Sequence, residues 1–175
     1  MADLVVVSGP PGAGKSTVAA LLVDRFEPSA LVTGDTFFAF LARGARPPWL
    51  PEAHAQNAVV TEAAAAATGR FVAGGLHVVY DGVVGPWFVD RLAAEVPDLH
   101  YVVLLPPLAT CLERVATRTG HGFTDADAAR RMHREFVAAD VPARHLVTDP
   151  AADAPAVVDE ITDRVRAGSL RLRGD

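Results

Sequence analysis

Lysine is almost missing from this chain of 175 residues: Lys15 is the only one, and every other member of its 16 basic residues is an arginine. Cysteine is as scarce. Cys111 stands alone, which excludes an internal disulfide and suits a reducing cytoplasm, and its place in a helical pattern reads as a small core residue. Basic charge is not in excess either. A formal net charge of −5 and a pI of about 5.6 give no overall field toward nucleic acid or an anionic membrane. No apolar run approaches the roughly 18 residues of a membrane span. At the N-terminus the acidic Asp3 precedes a short apolar run that soon meets SGPPG, which is not a signal-peptide pattern. These absences predict a cytoplasmic protein, monomer or homodimer, with no nucleic-acid or membrane partner.

What is present is ordinary globular material, 50% hydrophobic and 21% charged, which argues against disorder. The length suits one domain, residues 1–175, and no repeat or linker divides it. Five apolar runs read as strands buried on both faces: Leu4–Ser8, Ala30–Thr33, His77–Tyr80, His100–Leu105 and His145–Thr148. Helical patterns alternate with them: Lys15–Phe26, Thr36–Arg43, Glu52–Ala73, Pro86–Glu95, Ala109–Thr117, Asp125–Ala139 and Ala154–Ala167. Alternation of this kind predicts an α/β fold, a parallel sheet with helices on both faces. The proline-rich Gly44–Glu52 and the glycine-rich Gly120–Asp125 read as connections, with Thr124 or Asp125 as the cap of the next helix.

Between the first strand and first helix, Gly9–Ser16 matches G-x-x-x-x-G-K-[ST] at every fixed position. Glycines let the backbone wrap a phosphate, and the N–H groups from Gly12 through Ala13, Gly14, Lys15, Ser16 and Thr17 form an anion-binding nest at a helix N-terminus. Pro10 and Pro11 have no N–H to offer and stiffen the loop. The lone lysine is explained here. A compact ammonium reaches between the β- and γ-phosphates as a point charge, where a planar guanidinium would not fit. Ser16 can place its hydroxyl on Mg²⁺. The pattern implies binding of a nucleoside triphosphate.

With one lysine the chain has no guanine-reading N-K-x-D signature. It has acids and arginines where a small-molecule kinase would need them. Asp35, at the end of the second strand, suits a general base or a Mg²⁺ ligand, or else an N-cap for the helix from Thr36. Asp81, ending the third, reads as an acid that holds Mg²⁺ or substrate, or as the aspartate of an Asp-Gly turn. Arg114 and Arg118 lie four apart on one helix, and Arg130, Arg131 and Arg134 come after a glycine hinge. Arginines stabilise the charge of a transferring phosphoryl group, with Arg118 the first choice and Arg134 on the substrate side. Some of the five instead pair with neighbouring acids. The segment of about 120–139, with few large apolar anchors, is expected to act as a mobile lid. His121 and His133 have no partner at metal-ligand spacing, so zinc is not expected. Trp49 and Phe38 suit a substrate wall or plain packing.

Taken together, GPPGAGKST, GDTFF, RTGHGFTD and PWLPEAHAQN resemble the small P-loop kinases: shikimate kinase, gluconate kinase and chloramphenicol phosphotransferase. The resemblance implies a P-loop NTPase fold with strand order 2-3-1-4-5, ATP and Mg²⁺ as the phosphoryl source, and an alcohol as acceptor. It also implies a substrate-side aspartate at Asp35, and adenine near Arg118 and residues 149–152. Shikimate kinase grips its substrate's carboxylate with an arginine after strand three. Here Asp81–Phe88 offers apolar groups instead, with Arg91 only later. A larger, partly apolar alcohol such as a natural-product antibiotic, nucleoside antibiotics included, fits better, which would make the chain a resistance phosphotransferase. A metabolic kinase of the gluconate or shikimate type is the alternative. A nucleotide-binding regulatory module or toxin is the alternative of another class.

Overall fold

Leu4–Ser8 carries no charge and is buried along its whole length, as a central strand must be. The computed structural model, which describes residues 2–117, 123–148 and 153–172, places this strand, β1, in the middle of a parallel sheet. With β2 (Ser29–Thr33), β3 (His77–Asp81), β4 (His100–Leu104) and β5 (Leu146–Val147), the order is β2-β3-β1-β4-β5, as expected. Register puts Asp81 opposite both Val7 and Thr33. The carboxyl ends of β1, β2 and β3 are therefore level, and the segments leaving these three strands meet at one edge of the sheet.

Among the described residues seven helices cover the faces: α1 (Lys15–Leu22), α2 (Gly34–Ala39), α3 (His54–Ala73), α4 (Pro86–Glu95), α5 (Leu108–Ala116), α6 (Ala126–Ala138) and α7 (Ala154–Arg166). Successive β1 side chains divide between two cores. Leu4 and Val6 join Phe88, Leu92 and Phe136, while Val5 and Val7 join Val18, Leu22 and Ile161. Burying each such side chain is worth about 1.5–3 kcal/mol.

Several boundaries differ from the sequence reading, among them the end of α2, which stops at Ala39 and not Arg43, and the start of α3, at His54 and not Glu52. The first helix stops at Leu22 and tightens into a 3-10 turn (Val23–Arg25), because Pro28 forces the chain before it to extend. The helix expected from Thr36 begins at Gly34. β4 ends at Leu104, just before Pro106 and Pro107. His145 closes a 3-10 turn (Ala143–His145) instead of opening β5, and its Nδ1 lies 2.9 Å from the Tyr101 carbonyl.

Two buried histidines make stability depend on pH. His100 is fully buried with neither ring nitrogen hydrogen-bonded among the described residues; the Asp3 carboxylate, at 3.7 Å, is too distant. Burial lowers its pKa from 6.5, and Arg171 adds to the effect. Burial lowers that of His145 likewise. The folded protein keeps both neutral while the unfolded chain protonates them below about pH 6.5, so the unfolded state binds more protons there. Stability is full above that range and falls as pH drops through it. Urea midpoints should decline between about pH 7.5 and 5.5, and decline less in a His100→Gln/His145→Gln variant. An equal decline in both would remove this cause.

Candidate active site

The loop from Gly9 to Gly14 bends through positive φ at Gly9 (141°), Gly12 (82°) and Gly14 (95°). A Cβ on Gly12 would lie 2.2 Å from the Cys111 carbonyl oxygen, a backbone atom with no rotamer to yield. Gly12→Ala should therefore both lower the melting temperature and abolish ATP-analogue binding, seen by calorimetry; normal binding would show that the loop is not the phosphate cradle. A bond from Ala13 N to Pro10 O (3.2 Å) closes the turn. α1 then starts at Lys15 with Gly14 as N-cap and no side chain capping it, which leaves its first N–H groups for an anion. Lys15 Nζ donates to the Pro10 carbonyl at 3.1 Å.

This loop is the wall between two cavities. One, of about 290 Å³, is lined by Ala13, Gly14, Thr17, Pro106, Arg114 and Val147. The other, of about 1050 Å³, is lined by Lys15, Ser16, Asp35, Phe38, Trp49 and Asp81, among others. The small one is a mostly apolar slot at the ends of β4 and β5. The large one opens over the ends of β2 and β3, where register had brought Asp35 and Asp81 to one edge.

Asp35 lies in the first turn of α2, and the expectation that it caps that helix is overturned: Thr33 is the N-cap, and no side chain bonds there. Its exposed carboxylate is open to the large cavity. Asp81, the last residue of β3, is only 5% exposed. Tyr80 lies beside both. Burial raises its phenol above the ordinary value, and the charges of Asp35 and Asp81 raise it further. The β2 end passes so close that a Cβ on Gly34 would sit 2.7 Å from the Tyr80 hydroxyl. Below, Ser8 Oγ and Tyr101 Oη each donate to the Val84 carbonyl at 2.7 Å, and Val84 N donates to Ser8 Oγ at 3.0 Å. Those bonds fix the loop after Asp81.

Mg²⁺ prefers hard oxygen ligands and keeps few protein contacts, completing its shell with water and phosphate. Ser16, Asp35 and Asp81 supply such oxygens in one cavity, and Asp81 is a buried carboxylate with no ion pair among the described residues. That set fits the ion. No group of three or more His, Cys, Asp or Glu among the described residues is placed to hold a metal by itself.

The arginines divide. Arg114, near the end of α5, points Nη1 at the carbonyls of Gly12 (3.5 Å) and Ala13 (3.4 Å), so it lies against the phosphate loop. Arg131 lines the large cavity and donates to the Trp49 carbonyl at 2.7 Å. Arg134, the substrate-side choice from sequence, is exposed and does not line the cavity; the face of α6 toward it carries Arg131 and Glu135, four residues apart. Arg130 sits 3.9 Å from Asp127 on the surface. Arg118 and His121, with the hinge glycines 120 and 122, lie outside the described residues, as do residues 149–152.

His133 is a core histidine, its Nε2 2.9 Å from the Pro106 carbonyl. α6 is also better anchored than its sequence suggested: Phe136 is 1% exposed, sits in the main core and packs on Trp87. Asp125 caps the helix, accepting from Ala128 N at 2.9 Å. Trp49 lines the large cavity edge-on to Phe123, with ring centroids 5.0 Å apart. Sequence reasoning missed Tyr80, Thr61, His54, Asn57 and Glu135, which also line that cavity. Ser8 was missed as well, although it is the one hydroxyl in an all-buried apolar strand.

The AAA domain family matches residues 4–146. No curated protein matches the chain. Among solved structures it is similar to a sugar kinase from Janibacter sp. (18% identity, TM-score 0.65, covering 95% of this chain and 94% of the other). It is similar also to a tunicamycin resistance protein from Deinococcus radiodurans (17%, 0.68, covering 94% and 96%). A gluconokinase from Sinorhizobium meliloti gives 21% and 0.58, covering 95% and 91%. At these identities the likeness is one of fold, the P-loop nucleotide-binding fold of small kinases.

Proposed function

The chain belongs to the AAA domain family, and on that premise we propose that it is an ATP-dependent kinase for a hydroxyl of a small molecule. The observation that carries this reading is the phosphate loop standing between two cavities, with Lys15 and Ser16 facing the one that holds Asp35 and Asp81. The adenosine end would occupy the small slot beside Arg114, the phosphates the loop, and the acceptor the large cavity. Asp35 takes the proton of the acceptor hydroxyl as its oxygen bonds the γ-phosphorus. The bond from that phosphorus to the β–γ bridging oxygen breaks, and ADP leaves. Lys15 and Arg114 offset the charge of the moving phosphoryl group. Ser16 and Asp81 would hold Mg²⁺, which would supply neutralising charge for the phosphates.

The acceptor class we favour is a natural-product antibiotic, including nucleoside ones, with protection of the producer or host as the outcome. Support comes from the volume and aromatic lining of the cavity, and from a tunicamycin resistance protein among the neighbours of like fold. An assay of ADP release against a panel of alcohols tests this. The kinase reading expects stimulation by at least one class; ATP binding with no stimulation would favour a nucleotide-binding module.

A further inference from the structure

A buried hydroxyl is nearly always hydrogen-bonded, because taking one out of water without a partner is costly. Six hydroxyl side chains are buried among the described residues: Ser8, Thr61, Thr68, Tyr80, Tyr101 and Thr162. Four of them are paired. Ser8 and Tyr101 donate to the Val84 carbonyl, and Thr68 and Thr162 donate to the carbonyls of Ala64 and Val158, four residues back, at 2.7 Å. Thr61 and Tyr80 differ. Neither hydroxyl makes a hydrogen bond among the described residues, although the two residues are only 6% and 3% exposed. Thr61 stands on the same helix as Thr68, yet its hydroxyl does not turn back to the Asn57 carbonyl.

The two unpaired hydroxyls share one place. Both residues line the large cavity, and none of the four paired ones does. Thr61 comes from α3, whose stripe toward the cavity is His54, Asn57 and Thr61, spaced i, i+3 and i+7 on one helix face. Tyr80 comes from β3, and two glycines of the cavity wall give its phenol room. A Cβ on Gly34 would lie 2.7 Å from the hydroxyl, and one on Gly82 would lie 2.7 Å from the ring. Burial and the charges of Asp35 and Asp81 keep that phenol protonated, so it has a proton to donate. A neutral hydroxyl both donates and accepts, and the group that answers it in both respects is another hydroxyl.

Resting on the kinase reading, we propose that Thr61 and Tyr80 determine acceptor specificity, and that the acceptor is a neutral polyol presenting further hydroxyls to this pair beside the one that receives the phosphoryl group. A site built to pair a substrate hydroxyl rejects the analogue lacking it far more strongly than an apolar pocket rejects a missing methylene. The reason is that its own buried groups are then left unpaired.

The test uses the whole chain with ATP, Mg²⁺ and paired acceptors: ribonucleosides with their monodeoxy forms, methyl glycosides with theirs, and cyclohexanediols with cyclohexanol. Transfer of labelled γ-phosphate is measured as kcat/KM for the native protein, Thr61→Val, Tyr80→Phe and the control Thr68→Val. The native protein should prefer a polyol over at least one of its deoxy partners by about a hundredfold or more. Thr61→Val and Tyr80→Phe should each cut that preference about tenfold, while Thr68→Val keeps it. Without acceptor, neither Thr61→Val nor Tyr80→Phe should lower the melting temperature, since each removes a buried hydroxyl that has no protein partner. A lowered melting temperature in either marks a hydroxyl bonded within the protein and overturns the proposal. Equal transfer to the polyols and all their deoxy partners, or a preference that both variants leave intact, also overturns it and leaves the kinase standing. ATP binding with transfer to no alcohol overturns both.

Discussion

Lys15→Ala is expected to lower turnover about a thousandfold while the protein stays folded. In the structure Lys15 is half-buried on the phosphate loop, and its ammonium donates to the Pro10 carbonyl at 3.1 Å. Losing that bond costs about 1 kcal/mol, a small part of a domain's stability. Losing the ammonium during transfer costs far more, because it then offsets negative charge shared by the transferring γ-phosphoryl oxygens and the departing β–γ bridging oxygen. Lys15→Arg should fail nearly as badly, since the planar guanidinium is bulkier and does not act as a point charge between two phosphates. Turnover of either variant near the native value, at an unchanged melting temperature, would refute the assignment.

Asp35→Asn should lose about 10²–10⁴ in turnover while ATP still binds, the usual worth of a general base. An important competing explanation has gone: the residue is not a helix cap, so the loss cannot be read as a lost cap of α2. Asp81→Asn should instead weaken Mg²⁺, with turnover recovered as the ion is raised. Titrating Mg²⁺ against both variants separates the two. Rescue of Asp35→Asn and not of Asp81→Asn would exchange the roles.

Most of this site is legible in the sequence because its parts are local there. The glycines of the phosphate loop sit at fixed spacing, and their positive φ values come from the turn they make. Asp35 and Asp81 were legible as the acids that end apolar strands, and parallel register then brings both to one edge. The lining contributed by α3 and α6 was not. Which residue of a helix faces a cavity depends on how the helix is docked, and Phe136 settles that for α6 by entering the core. The arginine pattern alone put Arg134 in the place that Arg131 and Glu135 occupy. Tyr80 escaped notice for a related reason: in a buried strand its hydroxyl looks like one more core atom until Gly34 is seen to make room beside it.

In the reaction proposed for this protein the γ-phosphoryl group of ATP passes to a hydroxyl in the large cavity. Tracking that group directly tests it best: ATP labelled in the γ-phosphate is incubated with the protein, Mg²⁺ and a panel of alcohols, and the products are resolved by mass spectrometry. Label is expected in a phosphate ester of the alcohol, formed about a thousandfold more slowly by Lys15→Ala. Label found only in inorganic phosphate, or on the protein itself, at the same rate with and without every alcohol, would contradict it.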